Sequence, residues 1–310
     1  LSTLVVKSGG RAGYEEWAAH FAELAPALTV RFWDDVPPDE VDYAVVWDPE
    51  PGRLAAMPNL RCIFGAGAGV DLITRDPDFP AHLPLIRMTP PGAAQRMGDY
   101  VCWAALHLLR QGRRMALAQA HAEWEDFACA SAPDIRVGIM GLGVMGARTA
   151  AMLQGLGFPV HGWSRSEKRL PGVTDFVGDA ALGDFLGVSD LLVCLLPDTP
   201  ATAGILNAAL FAQLPRGASL INAGRGRQQV LPDILAALDD GQLGGAVLDV
   251  FEPEPLAADS PAWAHPKLTV TPHVASLPPR RERAAWVAQC IAGIESGRWP
   301  DKLYNPELGY

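Results

Sequence analysis

The run Ile135-Arg-Val-Gly-Ile-Met140-Gly141-Leu-Gly143-Val144-Met145-Gly146-Ala-Arg-Thr-Ala150 decides the fold. Its first six residues are apolar apart from Arg136, as a strand buried on both faces requires. The three glycines 141, 143 and 146 follow at once and lead into a helical pattern through Met152 and Leu156. A G-x-G-x-x-G alone carries little information, but between a strand and a helix it predicts a dinucleotide-binding turn. Its glycines let the backbone approach a pyrophosphate, whose charge is favoured at a helix N-terminus. Val144 and Met145 lie inside that turn and are expected cofactor neighbours. The competing reading is a tight turn in a buried strand–helix unit that binds nothing.

Outward from this run, strand and helix patterns alternate in both directions, which predicts an α/β fold with parallel sheets. Downstream, β-like runs recur at Pro159–Trp163, Leu191–Leu195, Ser219–Ile221 and Ala246–Leu248, with Leu268–Val270 as a sixth strand. Upstream lie Leu4–Lys7, Leu28–Phe32, Tyr43–Trp47 and Leu60–Phe64, with a helix through Trp17, Phe21 and Leu24. Ala93 to Ala120 reads as one long helix on Met97, Val101, Ala104, Leu108 and Met115, with Gly112 weakening its far end. Beyond Pro272 a last helix places Ala284, Val287 and Ile291 on one face. Pro37-Pro38, Pro90-Pro91 and Pro278-Pro279 mark loops, the latter two near expected hinges.

A chain of 310 residues is long enough for about two domains. Its 49% hydrophobic and 19% charged content is that of a globular protein, so disorder is not indicated. The formal charge of −10 opposes nucleic acid and anionic membranes as partners. An anionic substrate would therefore need a local cationic pocket. Cys62, Cys102, Cys129, Cys194 and Cys290 form no C-x-x-C pair, and most lie in apolar runs, so reduced thiols are expected. No signal peptide is evident at the start, and the apolar run Val137–Ala147 is too short to span a bilayer. A cytoplasmic protein without a metal site is expected.

The strand at Pro159–Trp163 leads into Ser164-Arg165-Ser166, where an NAD site usually carries Asp or Glu for the ribose hydroxyls. With no carboxylate to repel a 2′-phosphate, and a guanidinium and two hydroxyls to bind it, NADPH is the preferred cofactor and NAD remains possible. Arg165 also has an ordinary reading as a solvated loop residue. Three later segments end strands with reactive side chains: Asn222-Ala223-Gly224-Arg225-Gly226, Leu248-Asp249-Val-Phe251-Glu252-Pro253-Glu254-Pro255 and Thr271-Pro272-His273. In an open parallel sheet such ends border the ligand crevice. Arg225 can grip a carboxylate and carbonyl in a bidentate fork. His273 can protonate a carbonyl oxygen, and a carboxylate such as Glu254 favours an imidazolium beside it. Singly, each residue has a structural explanation. Three of them downstream of a dinucleotide turn point to keto-acid reduction.

These motifs, in this order and spacing, resemble those of the D-isomer-specific 2-hydroxyacid dehydrogenase family. Within it the chain is similar to bacterial glyoxylate/hydroxypyruvate reductases through Val46-Trp47, Phe64-Gly-Ala66-Gly67-Ala68-Gly69-Val-Asp71, Met97, Trp163-Ser-Arg-Ser166 and the ending Gly309-Tyr310. The resemblance implies two Rossmann-like domains: a discontinuous substrate domain (1–92 and 277–310) and a dinucleotide-binding domain (93–276), with a closing cleft between them. It implies that Arg225 binds the 2-keto acid, His273 is the acid/base and Glu254 its partner. The amides of Ala66, Gly67, Ala68 and Gly69 would grip the substrate carboxylate. Asp249 would bind the nicotinamide carboxamide, and Ala223 would also border the cofactor. Trp47 is either a pocket wall or a core aromatic, and Met97 either touches the cofactor or packs its helix. A homodimer is implied, with the helix from Ala93 and the segment Trp124–Phe127 as its candidate surface. Two departures stand out: Pro90-Pro91-Gly92 does not match the family's loop before the long helix, and Glu252 lies close enough to Glu254 to be confused with it. A phosphoglycerate-type dehydrogenase and a non-catalytic dinucleotide-sensing regulator remain as alternatives.

Overall fold

The structure is a computed structural model that describes residues 1–300 and 303–306. The ending Gly309-Tyr310 lies outside the described residues. The chain divides into two compact units, Leu1–Pro91 with Pro278–Tyr310, and Gly92–Leu277.

The first unit is built on five parallel strands, β1 (Thr3–Lys7), β2 (Thr29–Phe32), β3 (Tyr43–Val46), β4 (Cys62–Gly65) and β5 (Leu85–Ile86), in the order β2-β1-β3-β4-β5. Helices cover both faces, so the central strands read as unbroken apolar runs; all four residues of β3 and of β4 are buried. On one face α1 (Gly10–Leu24) contributes Trp17 and Phe21 to a core with Leu4, Val6, Tyr43 and Phe64. On the other, Val5, Ala44, Val46 and Ile63 pack against Leu54, Met57 and Ile73, the last from α2 (Asp71–Thr74). The sequence reading missed β5 because two residues cannot display a period. It exists because Ile63 and Phe64 offer it a register.

The second unit opens with α3 (Ala93–Leu109) and α4 (Gly112–Ala120). The single helix expected over 93–120 is thus two, and the break has a physical cause. Gln111 adopts φ 54°, the left-handed conformation that commonly ends a helix, and Gly112 next to it is a poor helix former. Met115, expected on the buried stripe, belongs to α4 and is 46% exposed. Then come β6 (Val137–Met140), α5 (Val144–Gly155), β7 (Val160–Ser164), β8 (Thr174–Val177), α6 (Leu182–Gly187), β9 (Leu191–Cys194), α7 (Ala208–Phe211), β10 (Ala218–Asn222), α8 (Leu231–Asp239), β11 (Leu243–Leu248) and β12 (Leu268–Val270). The seven parallel strands are ordered β12-β11-β10-β9-β6-β7-β8. β8 was not expected: it is an edge strand, Thr-Asp-Phe-Val, with both ends exposed and no apolar run to betray it. Residues facing opposite sides of the sheet feed two cores, one under α3 and α5 and the other under α6, α7 and α8. The strand order reverses between β6 and β9, and such switch points are where open α/β sheets bind ligands.

After Leu277 the chain rejoins the first unit, and α9 (Arg280–Glu295) adds Ala284, Val287 and Ile291 to the core containing Trp17. Among the described residues no helix is long and apolar enough to cross a membrane.

Candidate active site

The β6–α5 turn is shaped by close backbone approach. A Cβ at Gly146 would lie 2.0 Å from the carbonyl oxygen of Gly141, so only glycine lets α5 start this near the strand end. Around Gly143 the opposite holds: among the described residues no atom lies within 4 Å of a Cβ built there. That open space fronts the first turn of a twelve-residue helix that has no side-chain cap and whose Val144 is 69% exposed. Uncapped N–H groups beside open space at a switch point suit a pyrophosphate. The turn therefore fits the dinucleotide expected from its sequence.

At the end of β7, Ser164 is buried and its hydroxyl donates to the Ser166 carbonyl (2.7 Å). Arg165 is exposed. Lys168 Nζ donates to Ser166 Oγ (3.0 Å), which brings a second cation to this corner. Sequence reasoning did not single out Lys168, although it lies only two residues beyond the Ser-Arg-Ser run.

The Arg225 turn after β10 is tied to the ends of β9 and β11 by side-chain amides. Beyond β10, the Arg225 N–H donates to Gln228 Oε1 (2.9 Å), and Gln228 Nε2 donates to the Leu196 and Pro197 carbonyls (2.8 and 3.0 Å) after β9. Gln229 Nε2 donates to the Val250 carbonyl (2.9 Å) after β11, and its Oε1 accepts from Asn222 Nδ2 (2.8 Å). These two glutamines rivet the Arg225 turn between its neighbours. Only their adjacency to the Arg225-Gly-Arg run could have drawn attention to them.

Asp249 organises the turn after β12. Its carboxylate is 1% exposed and accepts hydrogen bonds from Thr271 Oγ1 (2.6 Å) and from the N–H groups of Val274 and Ala275 (both 2.9 Å). Burial raises the Asp249 carboxyl above its ordinary value, and those donors offset this only in part. The Tyr100 hydroxyl, from α3, shares a hydrogen bond with Thr271 Oγ1 (2.7 Å). His273 sits inside this turn at φ 55°, a left-handed conformation that costs roughly 1–2 kcal/mol for a residue with a Cβ. Its N–H donates to the Asp249 carbonyl (2.8 Å), which helps to hold it there.

The carboxylate that meets His273 is that of Glu254: its Oε2 lies 2.8 Å from His273 Nδ1. Glu254 Oε1 accepts the Phe251 N–H (2.9 Å), so the carboxylate is oriented at both ends. Burial pushes the Glu254 carboxyl upward. The hydrogen bonds from His273 and Phe251 and the charges of His273 and Arg225 outweigh it and hold the group below its ordinary value.

In the first unit, the loop after β4 has an unusual hydrogen-bond pattern. The carbonyl of Ala66 accepts from Arg283 Nη1 (3.4 Å), that of Gly67 from the Met88 N–H (3.0 Å) and that of Ala68 from Arg87 Nε (2.9 Å). The N–H groups of Gly67, Ala68 and Gly69 donate to no partner among the described residues. Ala66 differs: its N–H is spent on the Val46 carbonyl (2.7 Å). Three successive N–H groups left without an acceptor among the described residues are available as donors to an anion. The half-buried Trp47 indole lies against this loop, where a Cβ on Gly67 would come within 2.4 Å of it. Met97 is buried in the core under α3.

A glycine-rich strand–helix turn at the switch point, with an arginine and an ion-paired histidine closing nearby strands, is the arrangement of a nicotinamide-dependent oxidoreductase. The model of the family described as "D-isomer specific 2-hydroxyacid dehydrogenase, NAD binding domain" matches residues 102–275. Glyoxylate/hydroxypyruvate reductase A of Serratia proteamaculans (strain 568) is 40% identical over 301 residues, 96% of each chain. A D-isomer specific 2-hydroxyacid dehydrogenase from Xanthobacter autotrophicus Py2, solved with NADPH and MES, superposes with a TM-score of 0.90 at 39% identity, covering 100% of this chain and 99% of that one. An NADPH-dependent glyoxylate/hydroxypyruvate reductase from Sinorhizobium meliloti, solved with NADP and sulfate, gives 0.90 at 41% identity with both chains fully covered. The chain belongs to the D-isomer specific 2-hydroxyacid dehydrogenase family. It is an NAD(P)-dependent oxidoreductase of small 2-keto and D-2-hydroxy acids.

Proposed function

We propose that this protein reduces glyoxylate and hydroxypyruvate, with NADPH preferred over NADH. The observation that carries the reading is the 2.8 Å pairing of His273 Nδ1 with Glu254 Oε2. With Nδ1 committed to the carboxylate, the ring's other nitrogen, Nε2, delivers the proton to the substrate carbonyl oxygen. Arg225 binds the substrate through its planar fork, and the amides of Gly67, Ala68 and Gly69, with Ala66 shaping the loop, take the carboxylate. Trp47 walls the substrate site. Gly141, Gly143, Val144, Met145 and Gly146 hold the pyrophosphate; Ser164, Arg165 and Ser166, joined by Lys168, hold the 2′-phosphate. Ala223 and Asp249 border the nicotinamide. The bound reduced nicotinamide supplies the hydride. The relatives named for glyoxylate and hydroxypyruvate, and the solved relatives holding NADP or NADPH, support the choice of substrate and cofactor.

In this reading residues 1–92 with 277–310 form the substrate domain and 93–276 the cofactor domain. The working form is a cytoplasmic homodimer that needs neither nucleic acid nor membrane. The surface of α3, α4 and the following segment supports the dimer: Trp103, Leu106 and Met115 are partly exposed and Trp124 is 95% exposed. The test is a panel of 2-keto acids with cofactor consumption as the readout. Glyoxylate and hydroxypyruvate should turn over with the higher kcat/KM on NADPH, while simple aldehydes should be poor substrates. Absence of turnover with both keto acids at saturating NADPH would refute the proposal.

A further inference from the structure

A trans peptide points its C=O and the following N–H in opposite directions, so fixing one end of the plane aims the other. The loop after β4 uses this three times over. The Ala66 carbonyl shares a peptide plane with the Gly67 N–H, that of Gly67 with the Ala68 N–H, and that of Ala68 with the Gly69 N–H. Each of these carbonyls is held by a donor, and each of these amides is left to point away. Two of the three donors are guanidinium groups, Arg283 and Arg87.

Arg283 is hard to explain as packing. It is 6% exposed, its guanidinium carbon stands 5.1 Å from the Trp17 ring centre, and its Nε is buried without a partner among the described residues. Glu16, the carboxylate whose charge reaches it, is hydrogen-bonded to Arg280 instead. Burying a guanidinium without a bonded carboxylate costs several kcal/mol, and a methionine would fill the space without that cost. The cation must be doing something that an apolar side chain could not. Its Nη1 sits on the carbonyl side of the Ala66–Gly67 peptide. A positive charge there polarises the peptide and makes its N–H a stronger donor.

We propose that Arg283 and Arg87 are positioning residues for carboxylate binding: they pin and polarise the Ala66–Gly67 and Ala68–Gly69 peptides so that the amides face an anion. The inference rests on the reading of this loop as the carboxylate site. It also shows how a chain of net charge −10 can supply local positive potential for an anionic substrate without exposing a cation to it.

The test compares Arg283→Met, Arg283→Lys and Arg87→Met with the native protein. The readouts are glyoxylate KM and kcat, the inhibition constant of oxalate as an unreactive carboxylate probe, and the NADPH dissociation constant. Arg283→Met should raise the glyoxylate KM and the oxalate constant together by about tenfold, as for loss of one charge-assisted hydrogen bond. Its kcat should stay within about twofold and its NADPH affinity should not change, which is the signature of lost uniform binding. Arg283→Lys restores the charge and should recover most of the loss; Arg87→Met should show the same pattern more weakly. An Arg283→Met protein with native glyoxylate KM and oxalate affinity overturns the inference, and so does a loss that lysine fails to rescue. If Arg283→Met does not fold, Arg87→Met decides alone, and an unchanged KM there counts against the proposal. Failure of the underlying reading looks different, because the native protein itself would then neither turn over a 2-keto acid nor bind oxalate.

Discussion

Against burial, which pushes it upward, the hydrogen bonds from His273 and Phe251, with the charges of His273 and Arg225, hold the Glu254 carboxyl below the ordinary carboxylate range. A carboxyl lowered by folding adds stability above its unfolded value of 4.5, and that contribution is lost as pH falls through the lower folded value. Glu254→Gln cannot titrate, so the native protein should lose more stability than this variant between pH 5 and pH 3, as read by urea midpoints. Parallel curves for the two proteins would show that the carboxylate is not held this way. In catalysis the ranking should be set by the proton: His273→Ala removes the donor and should cost about 10²–10⁴-fold in kcat, with Glu254→Gln costing less. Arg165→Ala and Lys168→Ala should each raise the KM for NADPH while leaving that for NADH nearly unchanged, and equal effects on both cofactors would remove the 2′-phosphate role. The strand-end placement of Arg225, Glu254 and His273 was legible because each lies in a short motif. The contacts of Arg283 and Gln228 were not, because they are made with carbonyls in distant parts of the chain.

The β6–α5 turn separates two uses of glycine within one element. At Gly146 a methyl would strike backbone, whereas at Gly143 it would enter open space. Gly146→Ala should therefore lower the Tm by several degrees, by forcing α5 off the strand. Gly143→Ala should leave the Tm of the cofactor-free protein within about one degree yet weaken NADPH binding at least tenfold, since its methyl occupies the pyrophosphate's approach. Calorimetry with and without NADPH distinguishes the two, and a Gly143→Ala protein with native affinity would place the pyrophosphate elsewhere. The same element shows why strand–turn–helix units were readable: an apolar run, three glycines and a helical stripe all lie between Ile135 and Leu156. Where the local signal was weak, the reading failed. β5 is two residues long, β8 is a polar edge, and the break between α3 and α4 hangs on the backbone of Gln111.

Each unit has its own parallel sheet and its own pair of cores, so each should melt as a cooperative body. The β6–α5 turn, proposed to hold the dinucleotide, belongs to Gly92–Leu277 alone. NADPH at a hundred times its dissociation constant should stabilise that unit by about 2.7 kcal/mol. A thermal scan should therefore show two transitions, only one of which moves with cofactor concentration. A single transition that moves as a whole would mean that the units melt together.

The return of the chain to its first unit has a consequence for how the protein is made. The core containing Leu4, Val6, Trp17 and Phe21 also needs Ala284, Val287 and Ile291 from α9. A ribosome must synthesise all of Gly92–Leu277 before those side chains exist, which at bacterial or eukaryotic elongation rates takes roughly 10–40 s. During that interval the first five strands leave the tunnel with one apolar face covered only in part, by Trp17 and Phe21 of α1. The opening third of the chain is therefore the part most exposed to nascent-chain chaperones, although it is made first.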